Sequence, residues 1–238
     1  VKDGYQYENR PRNIVRFALA VWRVLQDAEN THEAAIVELT FNRSRWGKKI
    51  ARWDQVASEL VETYPEVGPI MDSRQRLPKV DLDDLAALPA GTMGHTLALV
   101  ERKRDYDPNL IDPLPADSDG EWVMAHLYET HDFWHVLTGF DFDLEGELGV
   151  AGVYMAQLPN ATFFGFMFAV IMLKIVWKHP DQHGDILAAF NEGYRIGKRC
   201  KPLIGLDWQA LWGRDLQELR RELNINDAGR IEAFAEAA

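Results

Sequence analysis

Only one cysteine, Cys200, stands among the 238 residues. That excludes an intrachain disulfide framework and any zinc site built from several thiolates. Cys200 sits beside Lys198, Arg199 and Lys201 and reads as a buried or incidental thiol. Positive charge is also scarce: 26 Lys and Arg against 37 Asp and Glu leave a formal net charge of −11. A nucleic-acid backbone or an anionic membrane surface asks for a basic face, so no nucleic-acid partner is expected. No apolar run reaches the ~20 residues that a spanning helix needs. The first residues, Val1-Lys2-Asp3-Gly4-Tyr5, have neither the apolar core of a signal peptide nor the arginine-rich pattern of a transit peptide. An intracellular, reducing compartment is the expectation, unless a presequence has been removed. Strand-like alternation and internal repeats are missing too.

What remains is rich in apolar residues, 47% of the chain with eight tryptophans, and this argues against disorder. The length suits one domain with a substantial core. The pattern predicts a polar arm at residues 1–12, one all-α, multi-helix domain over 13–225 and a polar, alanine-rich tail at 226–238. Helical spacing marks 12–27, a second helix from Thr31, a stretch carrying Val56, Leu60 and Val61, and a helix over 92–104. The basic tract Arg43, Arg45, Lys48, Lys49 and Arg52 reads as a solvated helix end, or as a dock for a phosphorylated or carboxylated headgroup. Prolines and glycines make 65–91 a connector with short helical pieces. Three prolines and five aspartates make 105–120 a loop. Asp117-Ser118-Asp119-Gly120 fails the calcium-loop spacing and is better read as an N-cap.

The chemistry concentrates in the next helix, 121–138, and the one after it, 144–158. His131 and His135 are four residues apart, about 40° around a helix axis and one turn apart, so both imidazoles can reach one ion. Asp132, roughly 100° from His131, can serve as a further ligand or as a base on metal-bound water. Thr138-Gly139 ends the helix, the chain reverses over 140–146, and Glu147 can return a second carboxylate to the same place. Two imidazoles and two carboxylates suit zinc, iron(II), manganese or cobalt better than calcium. Spacing alone does not choose among them, and two histidines with an aspartate on one helix also occur as a hydrogen-bonded, partly buried face. Tyr128, three residues before His131, lies on the same side as a core or a catalytic tyrosine.

The most apolar segment of the chain follows, at 161–173, interrupted by Lys174. Being apolar around its whole circumference, it predicts a central helix enclosed by protein, by a second copy of the chain in a homodimer, or by an isoprenoid ligand. Phe164 and Phe168, among phenylalanine, methionine and glycine, would line an adaptable apolar groove. Helices over 185–200 and 207–223 complete the pattern. Arg195, Lys198 and Lys201 on the first read as a solvated basic face, or as a site for a substrate carboxylate.

The combination H-D-x-x-H, eleven residues and Glu, carried by His131, Asp132, His135 and Glu147, resembles the signature of the Coq4 family of ubiquinone (coenzyme Q) biosynthesis proteins. Leu88-Pro89-Ala90-Gly91-Thr92-Met93-Gly94 is similar to a family segment, as are Gly193 and the closing stretch from Asp207-Trp208 to Leu223-Asn224-Ile225. His95 departs from it. The resemblance spans residues 15–225. It implies a divalent metal held by those four residues, and oxidative decarboxylation with hydroxylation of a prenylated aromatic ring acid, for which a redox-active ion would be needed. It also implies a prenylated quinone precursor as ligand, other ubiquinone-biosynthesis enzymes as partners, and a cytoplasmic or peripheral inner-membrane location. A non-catalytic scaffold presenting prenylated intermediates is the alternative. A metal-dependent hydrolase is disfavoured, because aspartate reaches less far than glutamate towards a bound water.

Overall fold

The computed structural model describes residues 51–104, 108–109, 113–160, 162–178 and 180–225. The arm, the first two helices, the basic tract up to Lys49 and the tail all lie outside them. Two compact units gather the backbone, one made of Trp53–Asn160 with Gly184–Ala238, the other of Val1–Arg52 with Ala161–His183. Among the described residues the secondary structure is helical. Thr92 and Asp215 form an isolated antiparallel bridge. The all-α expectation holds.

The first unit runs α1 (Trp53–Thr63), a 3-10 turn at Pro65–Val67, α2 (Gly68–Asp72), α3 (Leu82–Ala86), α4 (Met93–Arg104), α5 (Asp119–Thr138) and α6 (Leu144–Gln157). It continues through α8 (His183–Arg199), α9 (Trp208–Leu211) and α10 (Leu216–Glu222). The long helix α5 is its centre. It starts where Ser118 Oγ accepts the Glu121 N–H at 3.2 Å, and stops at Gly139, whose φ of 84° takes the left-handed turn that glycine alone enters without strain. Trp122, Phe133, Trp134 and Leu137 of α5 are fully buried with Leu60 of α1, Leu97 of α4 and Trp208 of α9. Each large apolar side chain so enclosed stabilises the fold by roughly 1.5–3 kcal/mol.

Two devices fix the site-bearing end of α5. Arg220, buried on α10, donates to the carbonyls of Leu137 at 3.0 Å and Val136 at 2.9 Å, placing a cation on the negative end of the helix dipole. The reversal then closes tightly. Asp143 caps α6 by accepting the Gly146 N–H at 2.8 Å, and a Cβ on Gly146 would come within 1.7 Å of the Asp141 carbonyl oxygen. Glycine is therefore required where the chain turns back to deliver Glu147. Small residues also let α6 and α8 cross closely. A Cβ on Gly193 would lie 1.8 Å from the Gly149 carbonyl oxygen.

The expected continuous last helix is two short ones. Gly213 and a second N-cap, Asp215, which accepts the Glu218 N–H at 2.8 Å, interrupt it. The carbonyls freed at Trp212 and Arg214 accept the N–H groups of Gly94 and Met93 at 2.9 and 3.0 Å, strapping the C-terminal segment to the start of α4.

Of the second unit the described helix is α7 (Thr162–Lys178). Its uniform hydrophobicity predicts a helix enclosed by protein, by a second copy or by a ligand, and within the single chain the cover is partial. Ile175 is buried, but Leu173, Val176 and Trp177 are 74%, 59% and 87% exposed. A sequence apolar on every face does not reveal which face has a neighbour. Among the described residues no helix is long and apolar enough to cross a membrane.

Candidate metal centre

Helices α5 and α6 bring His131, His135 and Glu147 together. The two imidazoles meet edge-on, ring centroids 4.7 Å apart at 85°, with their Nε2 atoms 3.1 Å from each other. Glu147 Oε2 is 3.1 Å from His131 Nε2, and Oε1 is 3.6 Å from His135 Nε2. One ligand atom from each residue lies within 4.8 Å of the other two. His135 is fully enclosed, whereas the His131 and Glu147 side chains are 31% and 28% exposed, so the group faces solvent on one side.

The surroundings aim these atoms. His135 Nδ1 is 3.2 Å from the Phe140 carbonyl oxygen, which can only accept, so Nδ1 carries the proton and Nε2 offers its lone pair to the centre. His131 Nδ1 contacts the Tyr154 hydroxyl at 2.9 Å. The Phe142 ring stacks on His135 at 4.3 Å and 20°. Metal-binding histidines usually have such a partner on the second ring nitrogen. Burial alone would raise the Glu147 pKa, but the charge and hydrogen bonds of His131 and His135 outweigh it and hold the carboxyl well below the usual carboxylate range. An anionic carboxylate beside two inward-facing Nε2 atoms is a donor set that fits zinc, iron(II), manganese or cobalt.

Asp132 stands apart from this trio. One residue along the helix, its side chain leaves the axis roughly 100° from that of His131, and the buried Glu101 of α4 lies near it. Burial raises the Asp132 pKa, the two histidines oppose that, and Glu147 adds to the rise. It is thus linked by charge to all three members of the trio without joining their cluster. Tyr128 is half-buried on α5 outside the cluster, and Phe164 and Phe168 lie on α7 in the second unit. Arg195 pairs with Glu192 at 2.7 Å on an exposed face of α8, with Lys198 and Lys201 in solvent. Cys200 is half-buried, with Gln157 Nε2 at 3.0 Å from its sulfur and its thiol pushed up to about 12 by burial.

Two residues near the centre escaped the sequence reading. Tyr154 follows Glu147 by seven positions, two turns on along one face of α6, which was a usable signal. Glu101 follows Leu97 by four positions and hides in the buried stripe of α4, 1% exposed, where an acid is rare unless it has a partner.

Fold and site together define a class: an all-helical protein with a two-histidine, one-carboxylate centre on consecutive helices. Residues 53–229 match the family described as "Coenzyme Q (ubiquinone) biosynthesis protein Coq4", and the chain belongs to that family. Similar curated proteins include the "Ubiquinone biosynthesis protein COQ4, mitochondrial" of Eremothecium gossypii, 30% identical over 152 residues, 62% of this chain and 46% of that protein. The namesake in Candida glabrata is 32% identical, over 61% of this chain and 44% of the relative. The chain thus spans about half the length of these relatives. A crystal structure titled a putative ubiquinone biosynthesis protein, from Nostoc punctiforme, is 27% identical, covers 90% of this chain and 99% of its own, and superposes with a TM-score of 0.72.

Proposed function

We propose that this protein acts in ubiquinone biosynthesis as a metal-dependent enzyme that oxidatively removes the carboxylate of a prenylated aromatic ring acid and leaves a hydroxyl at that carbon. The observation that carries this reading is the trio itself. His131 Nε2, His135 Nε2 and a Glu147 oxygen converge within 4.8 Å, on an incompletely covered side of the molecule. In this reading His131, His135 and Glu147 hold the ion. A redox-active ion such as iron, manganese or cobalt would supply Lewis acidity and electron transfer, whereas zinc would supply the first alone. The ring loses its carboxyl as carbon dioxide and gains one atom of dioxygen as the hydroxyl; the other oxygen atom leaves as water, with two electrons and two protons drawn from an external small-molecule reductant.

Asp132 is the acid–base group beside the ion, with a carboxyl that burial inclines to keep its proton. Tyr128 contacts the substrate ring in this reading. The relatives' names tie them to ubiquinone biosynthesis and to mitochondria, which supports a prenylated precursor as ligand, other enzymes of that pathway as partners, and a peripheral inner-membrane location. A homodimer is part of the same proposal.

A second reading, a non-catalytic scaffold that presents prenylated intermediates, draws on the exposed Leu173, Val176 and Trp177 of α7. Incubating iron-loaded protein with a prenylated hydroxybenzoate in air, with ascorbate as electron donor, separates the two. Enzymatic action predicts a decarboxylated, hydroxylated product with wild-type protein and its loss in a folded Asp132→Asn variant that still binds metal. Equal product with and without the protein would end the catalytic reading.

A further inference from the structure

We infer that Tyr154 is a positioning residue for the metal centre: it fixes His131 so that Nε2, and not Nδ1, is the nitrogen presented to an ion. The inference rests on the metal reading above and concerns what makes the trio a site at all. The two imidazoles are anchored differently. His135 Nδ1 meets a backbone carbonyl, that of Phe140, at 3.2 Å, an anchor built into the chain reversal. His131 Nδ1 meets a side-chain oxygen, the Tyr154 hydroxyl, at 2.9 Å. His131 is also the more exposed ring of the pair and gains less orientation from packing.

Tyr154 is itself held firmly. It is 4% exposed, and its ring packs edge-on against Trp134, centroids 4.7 Å apart at 69°. Trp134 is fully buried and donates its Nε1–H to Thr130 Oγ at 3.0 Å. The Thr130 hydroxyl in turn donates to the His126 carbonyl one turn back, at 2.7 Å. The phenol oxygen is thus pinned to the frame of α5 through an aromatic contact and two hydrogen bonds. When that oxygen accepts the Nδ1–H of His131, the Nε2 lone pair must point at His135 Nε2 and Glu147, 3.1 Å from each. Such outer partners typically carry roughly 10- to 100-fold in metal affinity.

Cobalt(II) titration of metal-free protein tests this, because cobalt reports its ligand field in the visible spectrum and shifts the exchangeable N–H protons of bound imidazoles in proton NMR. Wild-type protein should bind one cobalt with two slowly exchanging, shifted N–H signals. Tyr154→Phe keeps the ring and its contact with Trp134. It should bind cobalt about tenfold or more weakly, with an altered visible spectrum and one of the two N–H signals lost to exchange. A purely structural tyrosine would lower the melting temperature and leave spectrum and signals unchanged, and that outcome overturns the inference. Should Tyr154→Phe not fold, the wild-type spectrum still decides: two protected signals uphold the inference and one overturns it. Cobalt uptake unaffected by His131→Ala and His135→Ala would instead defeat the metal reading, and this inference with it.

Discussion

His126 and His135 lie on one helix, both buried, yet they have opposite chemistry. His126, near the middle of α5, stacks on Trp122 at 4.7 Å and 16°, beside the backbone of Ile204. Burial, the leading cause, lowers its pKa to about 4, with help from the charge of Arg76. It is a histidine kept neutral by apolar surroundings. His135, nine residues on, meets a carbonyl on one nitrogen and a second imidazole and a carboxylate on the other. The residue type is the same and the depth comparable, so burial does not make a histidine a ligand. What distinguishes the lower half of the helix is the convergence of lone pairs brought about by the return of the chain through Gly146 to Glu147.

The contrast is open to direct attack, most forcefully by metal affinity. Replacing His131 and His135 together with Ala should weaken zinc or cobalt binding by more than about a hundredfold, since two direct ligands matter more than one outer partner. His126→Leu should leave it within about twofold. Equal losses from both changes, read by calorimetric titration, would erase the distinction.

Stability against pH sharpens it next. A histidine whose folded pKa is depressed binds fewer protons folded than unfolded between the two values, so its protein loses stability as pH falls from about 6.5 to about 4. The full loss is about 3 kcal/mol. Urea melts of metal-free protein should show that slope in the wild type and a flatter one in His126→Leu. An unchanged slope would place the proton uptake elsewhere.

The smallest expected effect concerns the far end of the helix. Ser118→Ala removes the cap on Glu121 N–H and should cost about 1 kcal/mol without altering cobalt affinity. If affinity falls with it, the two ends of α5 are not independent.

The same contrast explains what the sequence could disclose. The i, i+4 histidines, the glycine that stops α5 and the glycine-bounded reversal are local instructions, and the site they build was legible from them. So was the capping role of the 117–120 segment. The sequence leaves Asp132 open as a further ligand or as a base on metal-bound water, and its nearness to Glu101, on another helix, is something no local pattern announces. What covers α7 stays open in the sequence for a related reason. Hydrophobicity without periodicity specifies no face, so enclosure could not be deduced from Leu173, Val176 and Trp177. The break between α9 and α10 was signalled by Gly213 and Asp215. The carbonyls it frees to bind the start of α4 depend on tertiary placement alone.

X-ray absorption at the metal edge, on protein purified without added metal and quantified by elemental analysis, tests the central claim most directly. It should find one ion per chain bound by two imidazole nitrogens with oxygen donors around it, and that ion should vanish in the His131→Ala, His135→Ala double variant. An ion retained by the double variant, or a wild-type protein that takes up none when metal is supplied, would refute the assignment of this centre.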